Sequence, residues 1–250
     1  MSRDEVNAVL TDEVRAELRR TGRKLMVGVL AIHKTLAGQP LDAPWKWRYP
    51  KPSDIAGIFS DSRHCLNLVH FNTKEPNIHS QMKAVQELAG PYFDGFQLNV
   101  DSPDPHWLWE WRFDGSYEES LVIQLGTKVL DRCQDTDDLK TWLSQYRDLD
   151  AVFLVDPSGG QGKTFPVNAG LVIEHIYRAV GSRARVGIAG GLGPDPASLT
   201  NVVPLLAKWP NLSLDAEGKL RTVVDPATGE DRLDTDKART YVLNALRLIK

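Results

Sequence analysis

The sequence is poor in cysteine, in long apolar runs and in excess charge of either sign, and each scarcity removes a class of protein. Its two cysteines, Cys65 and Cys133, stand far apart and form neither a Cys-x-x-Cys pair nor a metal-spaced set. Disulfide scaffolds, zinc modules and thioredoxin-type redox sites are therefore excluded. Both thiols are expected to be reduced, with Cys65 in the core. No stretch approaches the roughly 18 apolar residues of a membrane-spanning helix. The acidic, polar amino-terminal residues offer no signal-peptide core, so a cytoplasmic protein is expected. Thirty basic residues against 33 acidic ones leave a net charge of −3, which gives no electrostatic case for nucleic acid or an anionic membrane. Repeats and low-complexity tracts are missing too. So is a nucleotide-binding phosphate loop, because Pro157 stands where that motif needs its first glycine ahead of Gly162-Lys163-Thr164. No metal and no cofactor is expected.

What is present is an ordinary globular composition, 42% hydrophobic and 25% charged over 250 residues, enough to bury a core. Val6, Val9, Leu10, Val14 and Leu18 share one helical face, so residues 4 to 20 predict an amphipathic helix or two short ones. Its polar face is mixed in sign, and it is expected to cover the barrel bottom or a partner subunit. Strands are predicted at Lys24 to Ile32, Cys65 to Phe71, Gly95 to Val100, Leu121 to Leu125, Val152 to Val155, Val186 to Ala189 and Leu212 to Asp215. Helices alternate with them, among them Asn77 to Ala89, Asp135 to Tyr146, Val167 to Val180 and a closing helix from Thr235. Gly38 to Pro52 holds four prolines and two tryptophans and reads as a long loop. Thr222 to Asp236 reads as polar and turn-rich. The alternation and the length fit a single parallel (β/α)8 TIM barrel over residues 1–250, with residues 1–22 as a helical extension.

The most informative stretch is Ala151 to Phe165, a buried strand that runs through Asp156 into a glycine-rich turn. In parallel α/β folds the loops after strand ends build the site, which makes a carboxylate there a catalytic candidate. A second strand leads into Gly190-Gly191, where glycine allows backbone N–H groups to approach an anion at the start of a helix near Pro194.

These residues resemble the phosphoribosylanthranilate isomerase family of tryptophan biosynthesis. Leu154-Val155-Asp156 followed by Gly160-Gln161-Gly162-Lys163-Thr164-Phe165 resembles the family's sixth strand and loop, and Ala189-Gly190-Gly191-Leu192 its seventh. The resemblance implies a (β/α)8 barrel that opens a sugar ring and moves a proton, with Asp156 as acid and Gly160, Gly162, Lys163, Gly190 and Gly191 around the substrate. The family's first strand ends in Cys-Gly, the cysteine acting as base; Val27-Gly28 stands in that place, and valine carries no proton. His33, Asp101 and Asp215 are the candidate replacements. Phe96-Gln97-Leu98-Asn99 resembles the family's Gln-Leu-His-Gly, so Gln97 and Asn99 are candidate substrate contacts. Arg48 or Lys51 stands where the family meets the substrate's aromatic carboxylate, with Trp45 or Trp47 beside it. Asp215 and Gly218 match the start of the eighth loop, but Glu217 replaces a small hydroxyl residue, and phosphate there requires Lys219 or Arg221 to turn inward.

Two functions follow. One is an isomerase-like enzyme acting on a phosphorylated sugar or a related small anionic substrate. The other is a barrel that has lost catalysis and binds a ligand or partner, as decay at Val27, Asn99 and Glu217 would leave. An aldolase using a lysine Schiff base ranks last, because Lys24 starts a strand and Lys163 lies in a loop. A homo-oligomer is left open.

Overall fold

The structure, a computed structural model, describes residues 1–42, 45–60, 63–75, 77–114, 118–133, 135–156, 169–181 and 184–249. The amino-terminal periodicity resolves into two short helices, α1 (Arg3–Val9) and α2 (Asp12–Thr21). Ser2 starts the first with a reciprocal capping box to Glu5, and Thr11 caps the second by accepting from the Val14 N–H. Gly22, at φ 66°, turns the chain out of α2 into the first strand.

Seven parallel strands follow in the order β1 (Leu25–Ile32), β2 (Cys65–Asn72), β3 (Gly95–Leu98), β4 (Ser120–Gly126), β5 (Val152–Asp156), β6 (Arg185–Ile188) and β7 (Ser213–Leu214). Each pairs with the next, and they make a curled half-barrel. The helices between them are α3 (His33–Leu36), α4 (Ile55–Ile58), α5 (Ile78–Ala89), α6 (Pro105–Phe113), α7 (Thr127–Arg132), α8 (Thr136–Ser144), α9 (Ala169–Val180) and α10 (Val203–Lys208). An antiparallel hairpin, β8 (Arg221–Asp225) and β9 (Glu230–Leu233), then leads into α11 (Thr235–Leu248).

Among the described residues the sheet holds seven strands, not the eight expected. The described residues of Gly38 to Pro52 hold only the short 3-10 turns at Trp45–Trp47 and, just beyond, Pro52–Asp54. Prolines withhold the ladder N–H groups a strand needs, so this segment does not add one. β1 pairs directly with β2, and among the described residues β1 and β7 are the two edges of the sheet. Arg23 bridges them at the lower end, donating to the carbonyls of Pro210 and of Asn211, the latter at 3.1 Å. The hairpin is a second correction. Its polar, turn-like composition concealed two strands that lie apart from the main sheet and hold the buried carboxylate Asp231.

Strand alternation sorts side chains into two cores. Val27, Val29, Phe71, Phe96, Ile123 and Phe153 face outward and join the large cluster under the helices. Leu68, Val122, Leu154 and Ala189 form a smaller cluster, with Met26, Leu66 and Val152 packed on it, inside the curl. Val27 thus lies in mid-strand against the helices, paired with Asn67, rather than at a strand end facing the site. Of the three tryptophans on α6, Trp111 fills the core edge-on to Phe96 at 5.5 Å, while Trp109 stacks on Phe113.

One buried hydrogen bond gives a direct test of the helical layer. The Tyr146 hydroxyl, wholly enclosed, donates to the Pro103 carbonyl at 2.7 Å and ties the end of α8 to the loop ahead of α6. Tyr146→Phe leaves that carbonyl without its donor, and urea unfolding is expected to show a loss of about 1–2 kcal/mol.

Candidate functional site

The carboxyl ends of the strands surround a cavity of about 470 Å³. The interior-facing register brings polar residues to it strand by strand. His70 and Asn72 come from β2, Gln97 from β3 with Asn99 just beyond, Gln124 from β4 and Asp156 from the end of β5. Gly190 and Gly191 follow β6, and Asp215 follows β7, its N–H donating to the Ile188 carbonyl at 2.8 Å. Leu30 and Ile32 present an apolar wall from β1.

Two carboxylates anchor the floor, and a strand glutamine holds each. Gln124 donates to Asp156 Oδ2 at 2.8 Å, with both side chains buried. Gln97 donates to Asp215. Asp215 keeps some solvent access as a residue, yet its carboxyl group is enclosed by the protein. Burial, then the charges of Glu217 and Asp156, push it up to about 7, against the hydrogen bonds from Gln97 and the Ala216 backbone. Asp215 therefore gains or loses its proton near neutrality. His70 is shifted the other way. Burial pushes its imidazole down, outweighing the opposing pull of Glu217 and Asp156, and its Nε2 has no hydrogen-bond partner among the described residues. Gln124 Oε1 is likewise without one.

The mouth carries charges of both signs. Glu217 lines it, and so do the exposed lysines Lys34 and Lys219. The Lys219 stem lies over Gly193, where an added Cβ would stand 2.8 Å from Lys219 Cβ. Trp45 and Tyr49 close the other side. Burial raises the Tyr49 phenol, Glu217 adds to that, and Arg48 opposes both.

Arg48 is committed elsewhere. Its guanidinium donates to Asp231 at 2.5 and 3.0 Å and lies 3.4 Å from Glu217, while Arg221 donates to the same carboxylate at 2.8 Å. Burial alone would raise Asp231, but the hydrogen bonds from Arg48 and Arg221 prevail and hold it below the usual carboxylate range. This cluster fastens the Trp45–Tyr49 turn to the hairpin.

Of the residues singled out from the sequence, the cavity gathers Asp156, Asp215, Gln97, Asn99, Gly190, Gly191, Trp45, Glu217, Gly218 and Lys219. It does not gather the rest. His33 opens α3 outside the cavity lining, with its Nδ1 buried and without a partner among the described residues. Asp101 is exposed and paired with Arg132 at 2.9 Å. Lys51 is exposed ahead of the 3-10 turn at Pro52–Asp54. Gly160, Gly162 and Lys163 lie outside the described residues. The helix expected near Pro194 is a 3-10 turn, Pro196–Val202, whose cap Asp195 already accepts the Ala197 N–H. Ser198 Oγ likewise accepts the Gly193 N–H, so this turn offers no free helix terminus to an anion. Gly190 and Gly191 nevertheless take positive φ, 106° and 67°, beside Lys219.

Sequence reasoning missed His70 and Tyr49. His70 sits two and four residues after Leu68 and Leu66 on the same strand face, so a polar residue at the carboxyl end of an interior row was the available signal. Among the described residues no cluster of histidine, cysteine and carboxylate side chains is arranged to hold a metal ion, and no helix is long and apolar enough to cross a membrane. No protein-family model matches the chain, and no curated protein matches it.

Proposed function

We propose that the chain is an acid/base isomerase similar to the phosphoribosylanthranilate isomerases, acting on a phosphorylated sugar or a related small anionic substrate. The half-barrel is then a divergent (β/α)8 barrel whose sheet opens between β1 and β7. The observation that carries this reading is the pair Asp156 and Asp215 in one cavity, each held by a glutamine, with Asp215 pushed up to about 7. A base works best with its pKa near the working pH. Asp156 donates to the ring oxygen as its bond to C1 breaks; Asp215 takes the role of the missing cysteine and removes the proton from C2, the carbon next to C1, and a proton delivered to C1 completes the isomerisation. The phosphate lies against Gly190, Gly191, Gly218 and Lys219, where the lysine charge offsets Glu217.

The test follows hydrogen exchange by NMR in heavy water on ribose 5-phosphate and phosphoribosylated anthranilate analogues, together with thermal melting. Deuterium is expected at the carbon next to the reacting carbonyl, and phosphorylated ligands alone are expected to raise the melting temperature. Lys219→Ala should weaken their binding about 10–100-fold, as loss of a charge-assisted hydrogen bond does. Absence of both exchange and melting shift overturns the reading. The apolar Leu30 and Ile32 on the first strand favour a second reading, a barrel that binds such ligands without turnover. A melting shift without exchange selects it.

A further inference from the structure

The gap between β1 and β7 opens into a second cavity of about 350 Å³, lined mainly by apolar side chains. Met26, Gly28 and Leu68 bound it inside the curl, and Leu18, Val242 and Leu246 bound it on the helical side. α11 closes it together with α1 and α2. Arg20 fixes that lid by donating to the carbonyls of Leu246 at 2.9 Å and Ile249 at 3.0 Å, and Arg247 pairs with Glu13 at 2.9 Å. Gly28 adds to the space from an interior position on β1, where an added Cβ would meet only Met26 Cε at 3.6 Å.

Protein interiors are packed about as tightly as organic crystals, and hydrocarbon suits an apolar space of this size better than water does. This space adjoins the strand-end cavity across a shared wall. Leu30, His70, Gln97, Leu154, Asp215 and Glu217 line both. At the junction the Tyr241 hydroxyl is buried with no hydrogen-bond partner among the described residues, and it senses the Asp215 charge. A polar head at the carboxylates, a single hydroxyl at the neck and an apolar chamber behind them match one kind of molecule.

We infer that the seam cavity holds the hydrocarbon chain of an amphiphilic ligand whose anionic head occupies the strand-end site. This deepens the proposed function, resting on that reading for the head alone and not for the chain. Calorimetric titration with inorganic phosphate, butyl, hexyl and octyl phosphate and 1-octanol tests it. Affinity is expected to rise roughly fourfold per added methylene in the alkyl phosphate series. Gly28→Leu, which fills the chamber from the strand, should flatten the series and leave inorganic phosphate binding unchanged. Ala245→Phe fills it from α11 and should do the same if the strand substitution impairs folding. A flat series in the wild-type protein overturns the inference, as does an undiminished rise in both filled variants. Binding of inorganic phosphate with a flat series leaves the proposed function standing. Equal binding of 1-octanol and octyl phosphate, without inorganic phosphate binding, supports the chain site and removes the anionic head.

Discussion

Asp215→Asn is expected to lower turnover about 10²–10⁴-fold, the contribution of a positioned base, and to erase the limb near pH 7 from the pH profile of kcat/KM. Asparagine keeps the shape and the Gln97 neighbour but cannot take a proton. The same substitution has a second signature, in stability. In the folded protein Asp215 holds its proton up to about pH 7, against a value of 3.8 for an ordinary aspartate. Between those values the folded chain binds a proton that the unfolded chain has released. The stability linked to that proton is complete at acid pH, falls as pH rises, and is lost above about 7. Wild type and variant should therefore melt together near pH 4. Above pH 7 the variant should be the more stable, by up to about 4 kcal/mol. Turnover that survives the substitution removes Asp215 as the base. A melting difference independent of pH removes its raised proton affinity.

Asp231→Ala is expected to cost about 3–5 kcal/mol, because it leaves two enclosed guanidinium groups without their shared partner. The Arg48 and Arg221 side chains are only 17% and 10% exposed, so water cannot replace the carboxylate cheaply. The damage should reach function, since Arg48 anchors the turn that places Trp45 and Tyr49 at the mouth. KM is expected to rise more than kcat falls. Asp231 is held below the usual carboxylate range, so its contribution is present above about pH 4 and disappears as pH falls through the depressed value. The stability gap between wild type and variant should accordingly shrink in acid. Denaturant unfolding at pH 7 and at acid pH measures both, and a loss below about 1 kcal/mol at pH 7 would show that the cluster does not hold the turn.

The two carboxylates were reached from the sequence by different routes. Asp156 stood out because a β-rich apolar run ends in it, and Asp215 because a resemblance placed it after the last strand. Their partners were less visible. Gln124 and His70 are polar residues inside apolar strands, and a strand's period of two says that alternate residues share a face without saying which face is inside. The resemblance, not the period, put Val27 in the place of the strand-end cysteine, and the register with β2 turns it toward the helices.

The sequence by itself determined the parallel βα alternation, a helical amino terminus of one helix or two short ones, and the aspartate at the end of β5, because apolar periodicity acts over a few positions and needs no distant partner. Only the tertiary structure decided that the sheet, among the described residues, has seven strands with edges at β1 and β7, that Arg48 serves Asp231 rather than the cavity, and that Asp215 keeps its proton toward neutrality. Each of these depends on groups far apart in the chain meeting at low dielectric. Burial and pairing energies are set by that meeting, and no local pattern of residues encodes them.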